Sequence, residues 1–170
     1  MPKTLGFAFP GQGSQYTGML AEHFSALKEF NIAFDISKEV TGIDFKQLIQ
    51  DGSAEDLSAT QITQPLMLTA NHALWQAADI PVRDISLMAG HSLGEYSALA
   101  CSGVLSFEDT IKILKIRGRA MQDAVPLGKG GMLAVLGSKL ETIEDLLNKK
   151  KDQIECYIAN DNSNEQLVLS

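Results

Sequence analysis

Apolar positions along the chain recur with two periods, and the switch between them marks out the elements. Short apolar runs bounded by turn residues predict strands over 4–9 and 84–89. Longer stretches with apolar positions three and four apart predict helices near 16–30, 31–41, 44–50, 64–78, 93–102 and 107–123. Ser106 followed by Asp109 gives the last of these a capping-box-like start: the serine accepts an orphan backbone N–H and the aspartate sits at the positive helix end. Pro126, Gly128, Gly130 and Gly131 then punctuate the chain. Beyond them the pattern predicts strand 131–137, helix 139–151, strand 153–159, a turn over Asn160–Asn164 and strand 166–169.

This order predicts an α/β protein in two parts, residues 1–126 and 127–170. The second part reads β-α-β-β, and a ferredoxin-like split βαβ unit needs one more helix and one more strand to close its sheet. The first part offers two buried strands, Leu5–Phe9 and Ile85–Ala89, amid many helices. Two strands do not make a stable sheet, so further strands are expected from residues outside this sequence. Both parts are expected to be incomplete.

Composition narrows the function classes. The chain has 170 residues, 45% hydrophobic and 21% charged, which is ordinary for a globular domain with a core of its own. A formal charge of −7 repels phosphate backbones and anionic membranes, so no nucleic acid or membrane partner is expected. The apolar start, Leu5 to Phe9, is stopped by Pro10 and is too short for a secretory signal. Ser86 to Leu105 is the most apolar stretch, but His91, Glu95, Tyr96 and several serines and glycines make it a buried strand, turn and helix rather than a span. Cys101 and Cys156 have no CxxC or Cys/His spacing, and the expectation is two reduced, packed thiols with neither metal nor disulfide.

The candidate chemistry centres on Gly90-His91-Ser92-Leu93-Gly94, a G-x-S-x-G between an apolar strand and a small-residue helix. A tight strand-to-helix turn projects the serine hydroxyl, glycines on both sides let the backbone come close, and the helix N-terminus faces the reacting carbonyl. A glycine-rich turn with a locally bonded serine is the bland alternative. Pro10-Gly11-Gln12-Gly13-Ser14-Gln15 follows the first strand. It is no dinucleotide loop, because Tyr16 stands where glycine is required, and no Walker loop, because Gly-Lys-Ser/Thr is absent. It can instead lend a backbone N–H as the second donor of an oxyanion hole, or be a plain turn.

Two arginines share the helix over 107–123. Arg119 has Asp123 four residues on, a routine surface pair. Arg117 has Ile113, Leu114, Ala120 and Met121 at its i±3 and i±4 positions, so no local carboxylate answers it. It fits an external carboxylate held by two parallel hydrogen bonds, and equally a snorkelling arginine at the core edge. A serine nucleophile also needs a base, usually histidine. His91 adjoins Ser92 across a tight turn and is expected to point elsewhere, while His23 and His72 lie on helices in structural settings. The base is expected to be missing from these residues. The Lys149–Lys151 run complements a helix C-terminus.

FPGQGSQ at 9–15, TQPLMLTA at 63–70, AGHSLGEYSALACSGVLSFEDTI at 89–111 and RGRAMQDAVPLGKGGMLAV at 117–135 resemble the malonyl-CoA:acyl carrier protein transacylases of bacterial type II fatty acid synthesis. Related acyltransferase domains of polyketide and animal fatty acid synthases share much of this. The resemblance implies an α/β-hydrolase-like large subdomain with an inserted ferredoxin-like small one. It implies Ser92 as nucleophile, the backbone N–H groups of Gln12 and Leu93 as oxyanion hole, Arg117 as clamp for the malonyl carboxylate and Gln64 lining the cleft. Malonyl-CoA and acyl carrier protein are the implied substrates, with no cofactor, in a cytoplasmic enzyme that is a monomer when complete. The chain corresponds to little over half of the family's length, without the segment that carries the catalytic histidine. An inactive fragment of such an enzyme is the main alternative. An α/β-hydrolase-type esterase would share the elbow but leaves GQGSQ and Arg117 unexplained.

Overall fold

The computed structural model describes residues 5–125 and 128–170. It divides into two compact units on either side of the Ala124–Val125 junction. The boundary read at residues 126 and 127 lies outside the described residues, as does residue 4 of the first expected strand.

In the first unit, strand β1 (Leu5–Phe9) pairs in parallel with β2 (Ile85–Gly90). Between them run helices α1 (Ala21–Ala26), α2 (Lys28–Thr41), α3 (Phe45–Asp51), α4 (Ala54–Ser58) and α5 (Thr60–Ala78), and after them α6 (Leu93–Cys101) and α7 (Phe107–Ala124). Helix α5 is buried along most of its length and packs against α2, α4, α6 and α7. Its Leu66 and Leu68 join Phe30, Phe34, Phe45, Ile111 and Leu114 in the main core. A smaller cluster of Phe9, Trp75, Ala98 and Cys101 covers one face of the β1–β2 pair.

Several expected elements shift. The helix over 16–30 does not form as one piece: Gly18 (φ 84°) and Leu20 (φ 62°) are left-handed, and Leu27 is extended (φ −124°, ψ 120°), so α1 is short and α2 begins at Lys28. Helix α4 is additional to the expected elements, and Ser53 and Asp56 close a reciprocal capping box at its start. Helix α5 begins at Thr60 rather than 64 and carries Pro65 inside it. The strands of the first unit are not buried as expected. Of β1 only Phe9 is buried, and Leu87 of β2 is 64% exposed, because the described helices of this unit cover only one face of the pair. At α7 the expected cap is present: Asp109 N donates to Ser106 Oγ (3.1 Å), which in turn donates to Asp109 Oδ2 (2.8 Å).

In the second unit β3 (Leu133–Leu136), α8 (Leu140–Lys150), β4 (Ile158–Ser163) and β5 (Gln166–Leu169) keep the β-α-β-β order. The sheet order is β3-β5-β4, with β5 antiparallel to both neighbours. Strand β4 starts later than the expected 153–159, and Asn160–Ser163 are strand rather than turn. Two register shifts let these polar residues pair with β5, and the reversal shrinks to Asn164 and Glu165. Among the described residues no helix is long and apolar enough to cross a membrane.

Candidate functional site

The G-x-S-x-G segment forms the tight turn its pattern predicts, at the end of β2 and the start of α6. Ser92 has φ 54° and ψ −111°, a conformation that side chains other than glycine rarely adopt and that costs about 1–3 kcal/mol. Its neighbours hold it there. His91 N donates to Phe9 O (3.2 Å), Gly94 N to His91 O (2.9 Å) and Glu95 N to Ser92 O (3.2 Å). Glycine at 94 is required because a Cβ would collide with the Phe9 carbonyl, so the elbow is pressed onto the end of β1.

That contact also brings up the loop after β1. Gly11 is buried against His91, where an added Cβ would stand 2.8 Å from the ring Nδ1. The next residue, Gln12, sends its side-chain Nε2 toward Ser58 O (3.4 Å) and Thr60 Oγ1 (3.5 Å), anchoring the loop at the α4–α5 junction. Within the loop Gly13 N donates to Gln15 Oε1 (2.8 Å). Leu93 buries its side chain in the main core and is the first residue of α6, a position whose N–H a helix does not use itself.

Arg117 reaches the serine from α7. Its Nη2 donates to Ser92 Oγ (3.0 Å) and its Nη1 to Gln64 Oε1 (2.6 Å). The guanidinium also lies over the Tyr96 ring, 5.6 Å from the centroid. Gln64 is 1% exposed, and its Nε2 donates to Met121 Sδ (3.1 Å), so both ends of its amide are engaged. The Arg117 side chain is half-buried, with its guanidinium on Ser92 and Gln64. Arg119 pairs with Asp123 on the surface at 3.5 Å, as its spacing predicts.

The structure therefore joins Ser92, Arg117 and Gln64 directly and holds the Gln12 loop against the elbow. Tyr96 and Met121 were missed as members of the site. Tyr96 stands four residues after Ser92, which puts it on the serine's side of α6, but that relation gains meaning only once α7 is placed above it. The histidines on helices have structural settings. His72 stacks on Phe107 with ring centroids 4.0 Å apart, beside Cys101 Sγ at 4.0 Å from Nδ1. Burial pushes His72 down to about 4, against a smaller opposing pull from Glu108, and pushes the Cys101 thiol up to about 12. His23 stacks on Phe30, with its Nδ1 buried and unpartnered. Both cysteines are free thiols, Cys101 buried and Cys156 half-buried.

Comparison with known proteins gives a consistent picture. The family model described as acyl transferase domain matches residues 6–170. A malonyl CoA-acyl carrier protein transacylase of Salmonella typhimurium is 42% identical over 169 residues, 96% of this chain and 53% of that protein. The solved structure of the malonyl CoA-acyl carrier protein transacylase from Coxiella burnetii superposes with a TM-score of 0.91 at 41% identity, over 99% of this chain and 54% of that one. A malonyl-transacylase solved in complex with a type II PKS acyl-carrier protein gives a TM-score of 0.90 at 40% identity, over 98% of this chain and 54% of that one. The chain thus spans about half the length of the curated relatives it matches.

Proposed function

Given that this chain belongs to the acyl transferase domain family, we propose that the protein carrying it transfers malonyl from malonyl-CoA to the phosphopantetheine thiol of acyl carrier protein, by way of an ester on Ser92. The observation that carries this reading is the guanidinium of Arg117 within hydrogen-bond distance of Ser92 Oγ. In a malonyl thioester the free carboxylate is one methylene away from the carbonyl that the serine attacks. A cation already beside Oγ stands where that carboxylate arrives, and guanidinium and carboxylate meet through two parallel hydrogen bonds.

Ser92 Oγ attacks the thioester carbonyl and gives its proton to a base, and the developing oxyanion is met by the backbone N–H groups of Leu93 and Gln12. The C–S bond breaks and coenzyme A leaves as its thiol, so malonyl is held as an ester. The carrier thiol then gives its proton to the base and attacks the ester, the acyl C–Oγ bond breaks, Ser92 recovers a proton from the base, and malonyl leaves as the carrier's thioester. The carboxylate takes over donors of Arg117, and Gln64 keeps the guanidinium turned toward the acyl group. The chemistry calls for no cofactor. Because His23 and His72 are packed elsewhere, we place the base in the part of the relatives that this chain does not span.

The same family reading supports the finer fold description. The β1–β2 pair with the elbow at its end is in keeping with an α/β-hydrolase-like large subdomain over 1–126. The β3-β5-β4 order, with α8 as the crossover, is in keeping with the first part of a ferredoxin-like subdomain over 127–170. A monomeric, cytoplasmic enzyme is the setting we propose. The test is the intact mass of the full-length protein before and after malonyl-CoA. The expected outcome is one added malonyl group that Ser92→Ala abolishes; a Ser92→Ala protein that still gains malonyl would remove the serine from the reaction.

A further inference from the structure

Resting on that functional reading, the geometry points to Tyr96 as the positioning residue that holds the Arg117 guanidinium in place while the acyl group is bound. Three helices meet at this guanidinium. Gln64 on α5 and Ser92 at the start of α6 accept hydrogen bonds from its two Nη atoms, and both bonds run from the N–H groups at its edge. Tyr96, on α6, meets the guanidinium by its ring instead, with the central carbon 5.6 Å from the ring centroid. That distance lies within the range over which an aromatic ring attracts a cation.

The difference between hydrogen bonds and ring contact gives Tyr96 its role. An arriving carboxylate binds the guanidinium edge, where it competes for the N–H groups that Ser92 and Gln64 hold in the resting site. The ring contact takes up no acceptor for these N–H groups, so it persists through this exchange. Ser92 is in turn released from Arg117 at the moment its oxygen must attack. Local structure supports the assignment. Tyr96 is four residues after Ser92 on the same helix, side chains on a helix lean toward its N-terminus, and the Tyr96 ring is half-buried against the main core. The half-buried ring therefore stays beside a cation whose other partners change during the reaction.

The measurement is the malonyl to acetyl ratio of kcat/KM in the full-length protein with Tyr96→Phe, Tyr96→Leu, and Tyr96 replaced by phenylalanines carrying successively more ring fluorines. Fluorination drains the ring face of negative potential and leaves its shape nearly unchanged, so this series still reports if Tyr96→Leu fails to fold. The expected result is a ratio kept by Tyr96→Phe, lowered on the order of two- to fivefold by Tyr96→Leu, and falling stepwise with fluorination. In an Arg117→Ala background the same replacements should leave the ratio where Arg117→Ala puts it. A wild-type preference for malonyl that fluorination does not move would overturn the role of Tyr96 and leave the proposed function standing. A wild-type protein with no malonyl preference would overturn both.

Discussion

Replacing Arg117 by alanine removes one donor from Ser92 Oγ and one from Gln64 Oε1, and takes from the site the cation beside Ser92. A charge-assisted hydrogen bond to a carboxylate contributes about 1.5–3 kcal/mol. Arg117→Ala is therefore expected to lower kcat/KM for malonyl transfer by roughly ten- to a hundredfold or more, while transfer of acetyl, which has no carboxylate to pair, changes far less. Equal losses for both acyl groups would remove Arg117 from acyl selection. His72 supports a prediction of another kind, because its cause is burial rather than function. The native side chain resists protonation until about pH 4, whereas the unfolded one takes a proton near its ordinary 6.5. Between those values the unfolded chain binds more protons, so stability is full above the upper one and falls as the pH drops toward the lower. The slope from this group is at most about 1.4 kcal/mol per pH unit. Urea midpoints across that window should fall with pH, and His72→Phe should flatten the fall; an unchanged slope would show that other groups carry it.

The site depends on α5 and α7 crossing closely, since Gln64 and Arg117 come from those two helices. Gly118, next to Arg117, is buried at the crossing, and a Cβ there would stand 2.8 Å from Gln61 Cα and from Thr60 O. In an open helix, glycine to alanine gains up to about 1 kcal/mol. Here the contact is with backbone, which cannot swing aside, so Gly118→Ala is expected to destabilise by about 1–3 kcal/mol and to weaken the Arg117–Gln64 bond along with the crossing. Equilibrium unfolding checks the first effect and the malonyl to acetyl ratio the second; a variant as stable as the parent would show that the helices have room to part. Such crossings are what a one-dimensional pattern hides. The elbow, the α7 cap and the unanswered charge of Arg117 are legible in the sequence because each depends on neighbours within a few residues. The break at Leu27 and the left-handed Leu20 are decided by packing, and the polar strand Asn160–Ser163 by its partner β5. Helix α4 is the exception, since Ser53-x-x-Asp56 carried a readable start. Tyr96 lies just beyond the G-x-S-x-G motif, but its contact is with α7, a separate helix.

On the scale of the whole chain, the proposed reaction needs a base, and among the described residues the helical histidines are packed away from Ser92. His23 and His72 are committed to Phe30 and Phe107, and His91 lies with its ring against Gly11. An apolar face of β2 stands exposed at Leu87, in a parallel pair too small to be stable without further cover. The placement of the base is therefore testable by cutting the protein at residue 170. Circular dichroism first establishes that the 170-residue chain keeps its helices, chiefly α5 and α7, the longest in the first unit. Given that, the chain should stay at its own mass in malonyl-CoA over a time in which the full-length protein gains a malonyl group. Acylation of the short chain at Ser92 would show that the base lies within these residues. Separate substitution of His23, His72 and His91 would then identify it, and the shortest path to Ser92 along the backbone, through His91, would be the first to examine.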